Sequence, residues 1–307
     1  MNGASLAPVA AYLLDRRFGE PPNAVHPVAW MGRGIAVGRE WALRAGRIGQ
    51  LARGCVVALV IPAIAAAAAW GTAAGLARFP AIQLLGTVLV LKPMFAVRAL
   101  RDAAFTVRDA LDRGDLASAR RGLGGLCSRS ADGLYPEGLS AATIESVAEN
   151  TSDSIVAPLL FFAVFGLPGA AFYRAVNTLD AMMGYRGPLE YAGKASARLD
   201  DLLNLVPSRV TALLLLAAGG FTGGNVRRGL RVLLRDGGRT ESPNAGRPMA
   251  AMAGLLGVRL EKAGHYALGD ARRPLTSGDI TRAWRIASIA SMGAVGIAVL
   301  VAGVLHG

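Results

Sequence analysis

The sequence predicts an all-α fold, a polytopic membrane helical bundle with cytoplasmic helical loops and a re-entrant segment, forming a single membrane-embedded domain over residues 1–307. Three observations predict it. Residues 54–77 carry no charge over a length sufficient to cross a bilayer core as a helix. Residues 286–305 repeat the pattern, with small residues that let helices approach closely in lipid. No run alternates as a strand should, and no repeat of fixed period is present. Composition agrees, because 53% of the 307 residues are hydrophobic and only 18% are charged, on the apolar side of a soluble domain of this size.

Each element follows in chain order. The apolar stretch 4–14 starts a first helix; it has no basic flank before it and no small-residue cleavage site after it, so a removed signal peptide is not expected. Residues 15–33 form a turn-rich loop that Pro21, Pro22 and Pro27 hold extended. The stretch 79–97, interrupted by Lys92 and Pro93, is separated from the 54–77 span only by Arg78, which predicts a helical hairpin with a short external turn. Residues 98–126 show helical periodicity with mixed charge, Leu100, Val107, Leu111 and Leu116 among polar neighbours, as in a cytoplasmic helical pair. The stretch 155–173 contains the breaker Gly166-Leu167-Pro168-Gly169, and 210–221 is short. Four to six membrane-embedded elements are expected.

The formal net charge of +12 would suit nucleic acid, but the basic residues flank apolar spans and report orientation and contact with anionic lipid instead. Nucleic acid is not expected as a partner; the lipid bilayer is. Arg39, Arg44, Arg47 and Arg53 precede the first span, and Arg98, Arg101, Arg108 and Arg113 follow the second, so both ends read as cytoplasmic. The Arg-rich segment 227–285 does too. A full crossing by 155–173 would strand Arg174, Arg186, Lys194, Arg198 and Arg209 outside, and a re-entrant hairpin broken at Gly166–Gly169 removes that conflict. Cys55 and Cys127 lack metal-ligand spacing and read as packing residues rather than a disulfide.

Four polar passages could carry chemistry. The first is Glu145-Ser146-Val147-Ala148-Glu149-Asn150-Thr151-Ser152-Asp153-Ser154, where a helix puts Glu145, Glu149 and Asp153 on one face. Like charges at that spacing repel unless a cation or basic partner sits against them, and Mg²⁺ with a phosphate-bearing substrate suits such oxygen ligands. The plainer alternative is a solvated face, or a cap in which Thr151, Ser152 and Asp153 start the next helix. The second passage, Tyr173 to Tyr185, sets Arg174, Asn177, Thr178 and Asp180 as a polar stripe; an internal Arg–Asp brace is the alternative.

The third, Gly193 to Arg209, places Lys194 and Arg198 one helical turn apart with Asp201 on the same side, a grip for phosphate or carboxylate, or else a snorkelling interfacial helix. The fourth, Glu241-Ser242-Pro243-Asn244-Ala245-Gly246-Arg247-Pro248, is a polar turn in which Gly246 allows close approach of a ligand, unless turn chemistry alone explains it. His26 and His265 are isolated and read as loop hydrogen-bonding residues. Gly187 to Lys194 has the wrong glycine spacing for a phosphate loop and Ala195 lacks the needed hydroxyl.

Taken together, Gly19-Glu20-Pro21-Pro22, His26-Pro27, Trp30-Met31-Gly32, Glu145 to Ser154, Asn177-Thr178-Leu179-Asp180-Ala181-Met182-Met183-Gly184-Tyr185 and Ser242-Pro243-Asn244-Ala245-Gly246 resemble the membrane-bound adenosylcobinamide-phosphate synthases of vitamin B12 biosynthesis, along nearly the whole chain. The chain departs from that family's pattern at Arg247, where a less basic, often aromatic residue is expected. The resemblance implies an ATP- and Mg²⁺-dependent acid–amine ligase of the inner cell membrane. It would join the propionate of adenosylcobyric acid to the amine of (R)-1-aminopropan-2-yl phosphate, or a related aminoalcohol phosphate, at a site facing the cytoplasm, with an acyl phosphate as the hypothesised activated species. In that scheme Glu145, Glu149 and Asp153 hold Mg²⁺ or act catalytically, Lys194 stabilises charge, and His26, Arg174, Asn177, Asp180, Arg198 and Asn244 bind substrate. A second copy or other enzymes of the pathway are further expected partners. A transporter, or a non-catalytic membrane regulator of the same wider family, is the competing reading; against transport, the two halves show no inverted repeat.

Overall fold

The structure, a computed structural model, describes residues 3–127 and 131–306. Four helical runs are long and apolar enough to cross a membrane, Arg47–Leu76, Pro80–Asp112, Pro136–Met183 and Ser277–Leu305, and a bent pair, Lys194–Leu203 with Leu205–Phe221, raises the number to five. The all-α membrane bundle is therefore what forms. The chain divides into two compact units, each assembled from separate segments.

Unit 1 comprises residues 1–96, 157–204 and 295–307. Helix α1 (Gly3–Phe18) packs on α4 (Pro80–Leu91), while α2 (Pro27–Leu43) and α8 (Ala157–Met183) pack on α3 (Arg47–Leu76). Helices α3 and α4 form the expected hairpin, closed over residues 77–79 by Phe79 N–H donating to Leu76 O at 2.9 Å. Leu91 runs into a 3₁₀ turn, Lys92–Met94, and Phe95 is extended, so the apolar stretch ends where Lys92 and Pro93 stand. A core of Ile35, Ala42, Val57, Leu179, Met183 and Ala192 ties α2, α3 and the end of α8 together. Cys55 is exposed on α3 rather than packed, so that expectation fails; both cysteines are free, as expected.

The breaker in α8 acts as the sequence requires. Gly166 has φ 66° and ψ −157°, a backbone region open essentially to glycine alone, and Pro168 follows it. The rings of Phe161 and Tyr173 stack with centroids 4.9 Å apart, although twelve residues of straight helix would separate them by about 18 Å. The chain therefore doubles back, and the two limbs of α8 form a hairpin at the predicted break, Gly166–Gly169.

Unit 2 comprises residues 97–156 and 205–294. It contains α5 (Val97–Asp112), α6 (Leu116–Leu123), α7 (Pro136–Thr151), α10 (Leu205–Phe221), α11 (Val226–Asp236), α12 (Gly246–Leu256) and the start of α13 (Ser277–Leu305). The predicted pair α5 and α6 packs through Val107, Ala110, Ala119 and Leu123 onto Leu139 and Ala142 of α7. Beyond α7 the backbone continues through a π-helical turn, Ser152–Val156, directly into helix. Thr151, Ser152 and Asp153 therefore do not cap a new helix, and that alternative is set aside. One element has no counterpart in the sequence prediction: strands β1 (Arg259–Lys262) and β2 (Tyr266–Gly269) pair antiparallel, with Leu260 opposite Leu268 and both buried.

Candidate functional site

In unit 1 the fold brings together the second and third polar passages of the sequence. The second limb of α8 turns Leu167, Ala170, Val176, Leu179 and Met183 inward and so leaves Arg174, Asn177, Thr178 and Asp180 on a partly exposed arc. Helix α9 (Lys194–Leu203) returns against it. That return needs Gly193, because a Cβ there would overlap the Met183 carbonyl.

The two helices then share a hydrogen-bond network. Asn177 Nδ2 donates to Asp200 Oδ1 at 3.5 Å, Asn204 Nδ2 donates to Asp200 Oδ2 at 2.9 Å, and Arg174 Nη1 donates to Asn177 Oδ1 at 3.4 Å. From the buried side, Tyr173 Oη donates to Asn204 Oδ1 at 2.8 Å. Asp180 and Asp201 lie within electrostatic reach of each other and of Asp200. Carboxylates so placed repel one another unless an external cation sits between them, and an ammonium group is such a cation. Lys194 and Arg198, one turn apart on the exposed face of α9, keep their charges available to an anion. Sequence reasoning nominated Asn177, Asp180, Lys194 and Arg198 but not Asp200, Asn204 or Tyr173; the signal was the i, i+4 pair Asp200 and Asn204 beside an aromatic residue in an apolar stretch.

A second network of unit 1 lies at the loop after α1. His26 caps α2, its Nδ1 accepting from Val28 N–H at 3.2 Å, so its Nε2 carries the proton it donates to Glu20 Oε2 at 2.8 Å. Lys92 Nζ stands 3.5 Å from both Glu20 Oε2 and Asp15 Oδ1, with Lys92 and Asp15 buried. His26 is thus tied through the exposed Glu20 into a partly buried ionic network, and Lys92, which interrupts an apolar stretch, pairs with Asp15 of α1 and Glu20 of the following loop.

In unit 2, Glu145 is buried rather than part of a solvated face, while Glu149 and Asp153 are partly exposed. The π turn begins after Glu149 and includes Asp153, and Ser154 Oγ within it donates back to Asn150 Oδ1 at 3.1 Å. Among the described residues no three His, Cys, Asp or Glu side chains converge to hold a metal ion, so Glu145, Glu149 and Asp153 do not form a three-carboxylate cage. Asn244 is buried and its Oδ1 accepts from Ser208 Oγ at 3.3 Å and Arg209 Nη1 at 3.4 Å, which pins the polar turn to α10. The close approach that Gly246 permits is to this chain's own Gly237 O and Thr240 Oγ1, not to a ligand.

Residues 8–292 match the CobD/Cbib protein family. The cobalamin biosynthesis protein CobD of Dehalococcoides mccartyi is 43% identical over 86% of this chain and 86% of its own length. That of Geobacter metallireducens is 40% identical over 99% of this chain and 98% of its own, and that of Klebsiella pneumoniae is 38% identical over 93% of each. No solved structure matches. A family match across nearly the whole chain, carried by relatives of equal length, establishes that this protein belongs to the CobD/Cbib family of cobalamin biosynthesis proteins.

Proposed function

We propose that this protein is an adenosylcobinamide-phosphate synthase, forming the amide between the propionate of adenosylcobyric acid and the amine of (R)-1-aminopropan-2-yl phosphate or a close analogue. The observation that carries the reading is the α8–α9 junction, where Asp180, Asp200 and Asp201 meet the amides of Asn177 and Asn204 beside Lys194 and Arg198. The amine substrate has an ammonium group and a phosphate a few atoms apart. The junction offers carboxylates for the first and cations for the second.

A carboxylate is a poor acyl donor, so ATP supplies the activation that turns one propionate oxygen into a phosphate leaving group. Mg²⁺ usually binds through one or two carboxylates together with substrate phosphates, a mode that needs no resident cage; the nucleotide's phosphates would carry it. Within unit 1, an aspartate of the trio would accept one proton from the ammonium, and the neutral nitrogen then attacks the acyl carbon, the carbon–oxygen bond to phosphate breaking as the departing phosphate takes the second nitrogen proton. Asn177 and Asn204 hold Asp200 by both of its oxygens, which fixes the lone pair that receives the proton. Lys194 and Arg198 grip the aminoalcohol phosphate.

The test is incubation of the purified protein in lipid nanodiscs with adenosylcobyric acid, aminopropanol phosphate, ATP and Mg²⁺, followed by mass spectrometry. Adenosylcobinamide phosphate should form with stoichiometric ATP consumption; its absence under every condition would overturn the reading. The broken helix at Gly166 is also a feature of transporters, and corrinoid accumulation in sealed vesicles without any new amide would favour that second reading.

A further inference from the structure

The end of α10 and the start of α11, both in unit 2, are joined by the turn Thr222-Gly223-Gly224, where Gly223 has φ 76°. Over this turn lies a cleft of about 380 Å³, closed by Arg228, Arg282 and Arg285. A second hollow of about 250 Å³, lined by Arg227, Arg228, Arg231 and Arg272, shares Arg228 with it.

The positive charge gathered here finds little compensation within the chain. Asp279 is already engaged by Arg273, at 2.6 and 2.7 Å, and stands 3.6 Å from Arg282. Asp270 is taken by Arg235 at 2.9 Å. Among the described residues Arg227, Arg231 and Arg285 make no hydrogen bond or ion pair. Arg228 is fixed in place, its Nε donating to Gly254 O at 2.6 Å and its Nη2 to Leu255 O at 3.2 Å. Burial, and then the charges of Arg272 and Arg273, push its guanidinium below the usual range. A rigid guanidinium repelled by its neighbours, with exposed arginines converging on a glycine turn, is an arrangement that an external anion stabilises.

We propose that this cleft binds a phosphate group, with Arg228 as the fixed wall and Arg282 and Arg285 as the two forks that close on it. Planar guanidinium forks match phosphate oxygens in pairs, and the absence of side chains at Gly223 and Gly224 lets the group approach the backbone. The phosphate comes either from a soluble ligand or from the head group of an anionic lipid. The proposal is independent of the ligation reading, because its readout is binding rather than turnover.

The protein is placed in nanodiscs of zwitterionic phosphatidylcholine and titrated with inorganic pyrophosphate in phosphate-free buffer, with the thermal midpoint as readout. The measurement is repeated in discs containing phosphatidylglycerol. Arg282→Ala and Arg285→Ala each alter one exposed side chain; Arg78→Ala, exposed in unit 1, is the charge-matched control. A midpoint rise with pyrophosphate in neutral discs, weakened about tenfold in apparent affinity by each of the two cleft substitutions and not by the control, supports a soluble phosphate. A rise only on adding phosphatidylglycerol, lost in the same variants, supports a lipid phosphate. If neither anion shifts the midpoint, or if the control loses the response equally, the site is refuted.

Discussion

Helices α3 and α8 are similar in length, 30 and 27 residues, and both are apolar enough to cross a membrane, yet they meet different fates. Helix α3 is one unbroken helix, and only 22% of its most apolar stretch is buried within the molecule, against 61% of the most apolar stretch of Pro136–Met183, the run containing α8. The difference lies in a few residues. Gly71 and Gly75 of α3 sit in helical backbone with open space around them. Gly166 in α8 occupies a conformation that other residues resist, and the polar side chains from Arg174 to Asp180 need partners inside the protein. An apolar stretch that carries a stripe of amides and charges is a frame for a site; one without them is an anchor.

That contrast can be broken at Gly166. Replacing it with alanine forces a Cβ into the backbone geometry of the turn, and a loss of about 1–3 kcal/mol is expected from the strain alone, read as a lowered thermal midpoint in nanodiscs. A Gly166→Ala protein as stable as the parent would mean that the hairpin does not require this turn. Next in size is Tyr173→Phe, which keeps the stack on Phe161 but deprives the buried Asn204 of its donor; a cost of about 1–2 kcal/mol is expected, and its absence would show that Asn204 is held by other contacts. The smallest effect belongs to the anchor. Gly71→Ala in α3 should be neutral or stabilising by about 0.5–1 kcal/mol, since the site is open and helical, and a clear loss would contradict the picture of α3 as a lipid-facing span.

Much of this architecture was legible in the residues. The spans at 54–77 and 286–305 announce themselves by lacking charge; α3 covers all of the first but its last residue, Ala77, and α13 encloses the second. The hairpin in α8 was legible because Gly166 and Pro168 cannot sit in a straight helix and because a full crossing misplaces five basic residues. The helical pair of 98–126 shows in the spacing of Leu100, Val107 and Leu111. The β-hairpin was not legible, since four-residue strands such as Arg259–Lys262 hold too few alternations to stand out, and their pairing depends on burying Leu260 with Leu268.

The site was legible in part. Asn177, Asp180, Lys194 and Arg198 could be nominated because polar residues in apolar surroundings are costly. Asp200 and Asn204 acquire meaning only once Gly193 lets α9 fold back on α8, a tertiary event that no local spacing encodes. Lys92 gives the same lesson in reverse. As a charge inside an apolar stretch it looked like a blemish in a span, and its partners Asp15 and Glu20 lie more than seventy positions earlier.

If the carboxylates of the α8–α9 junction carry the ligation, Asp200→Asn should stop it without unfolding the protein. The substitution keeps the size and planar shape of the side chain and removes the base; it also turns one acceptor oxygen into an amide donor, which costs least facing Asn177, the longer of the two contacts at 3.5 Å. Amide formation, followed by mass spectrometry of adenosylcobinamide phosphate, should fall by about 10²- to 10⁴-fold while the thermal midpoint in nanodiscs stays near that of the parent. An Asp200→Asn protein that forms product at the parental rate would contradict the assignment.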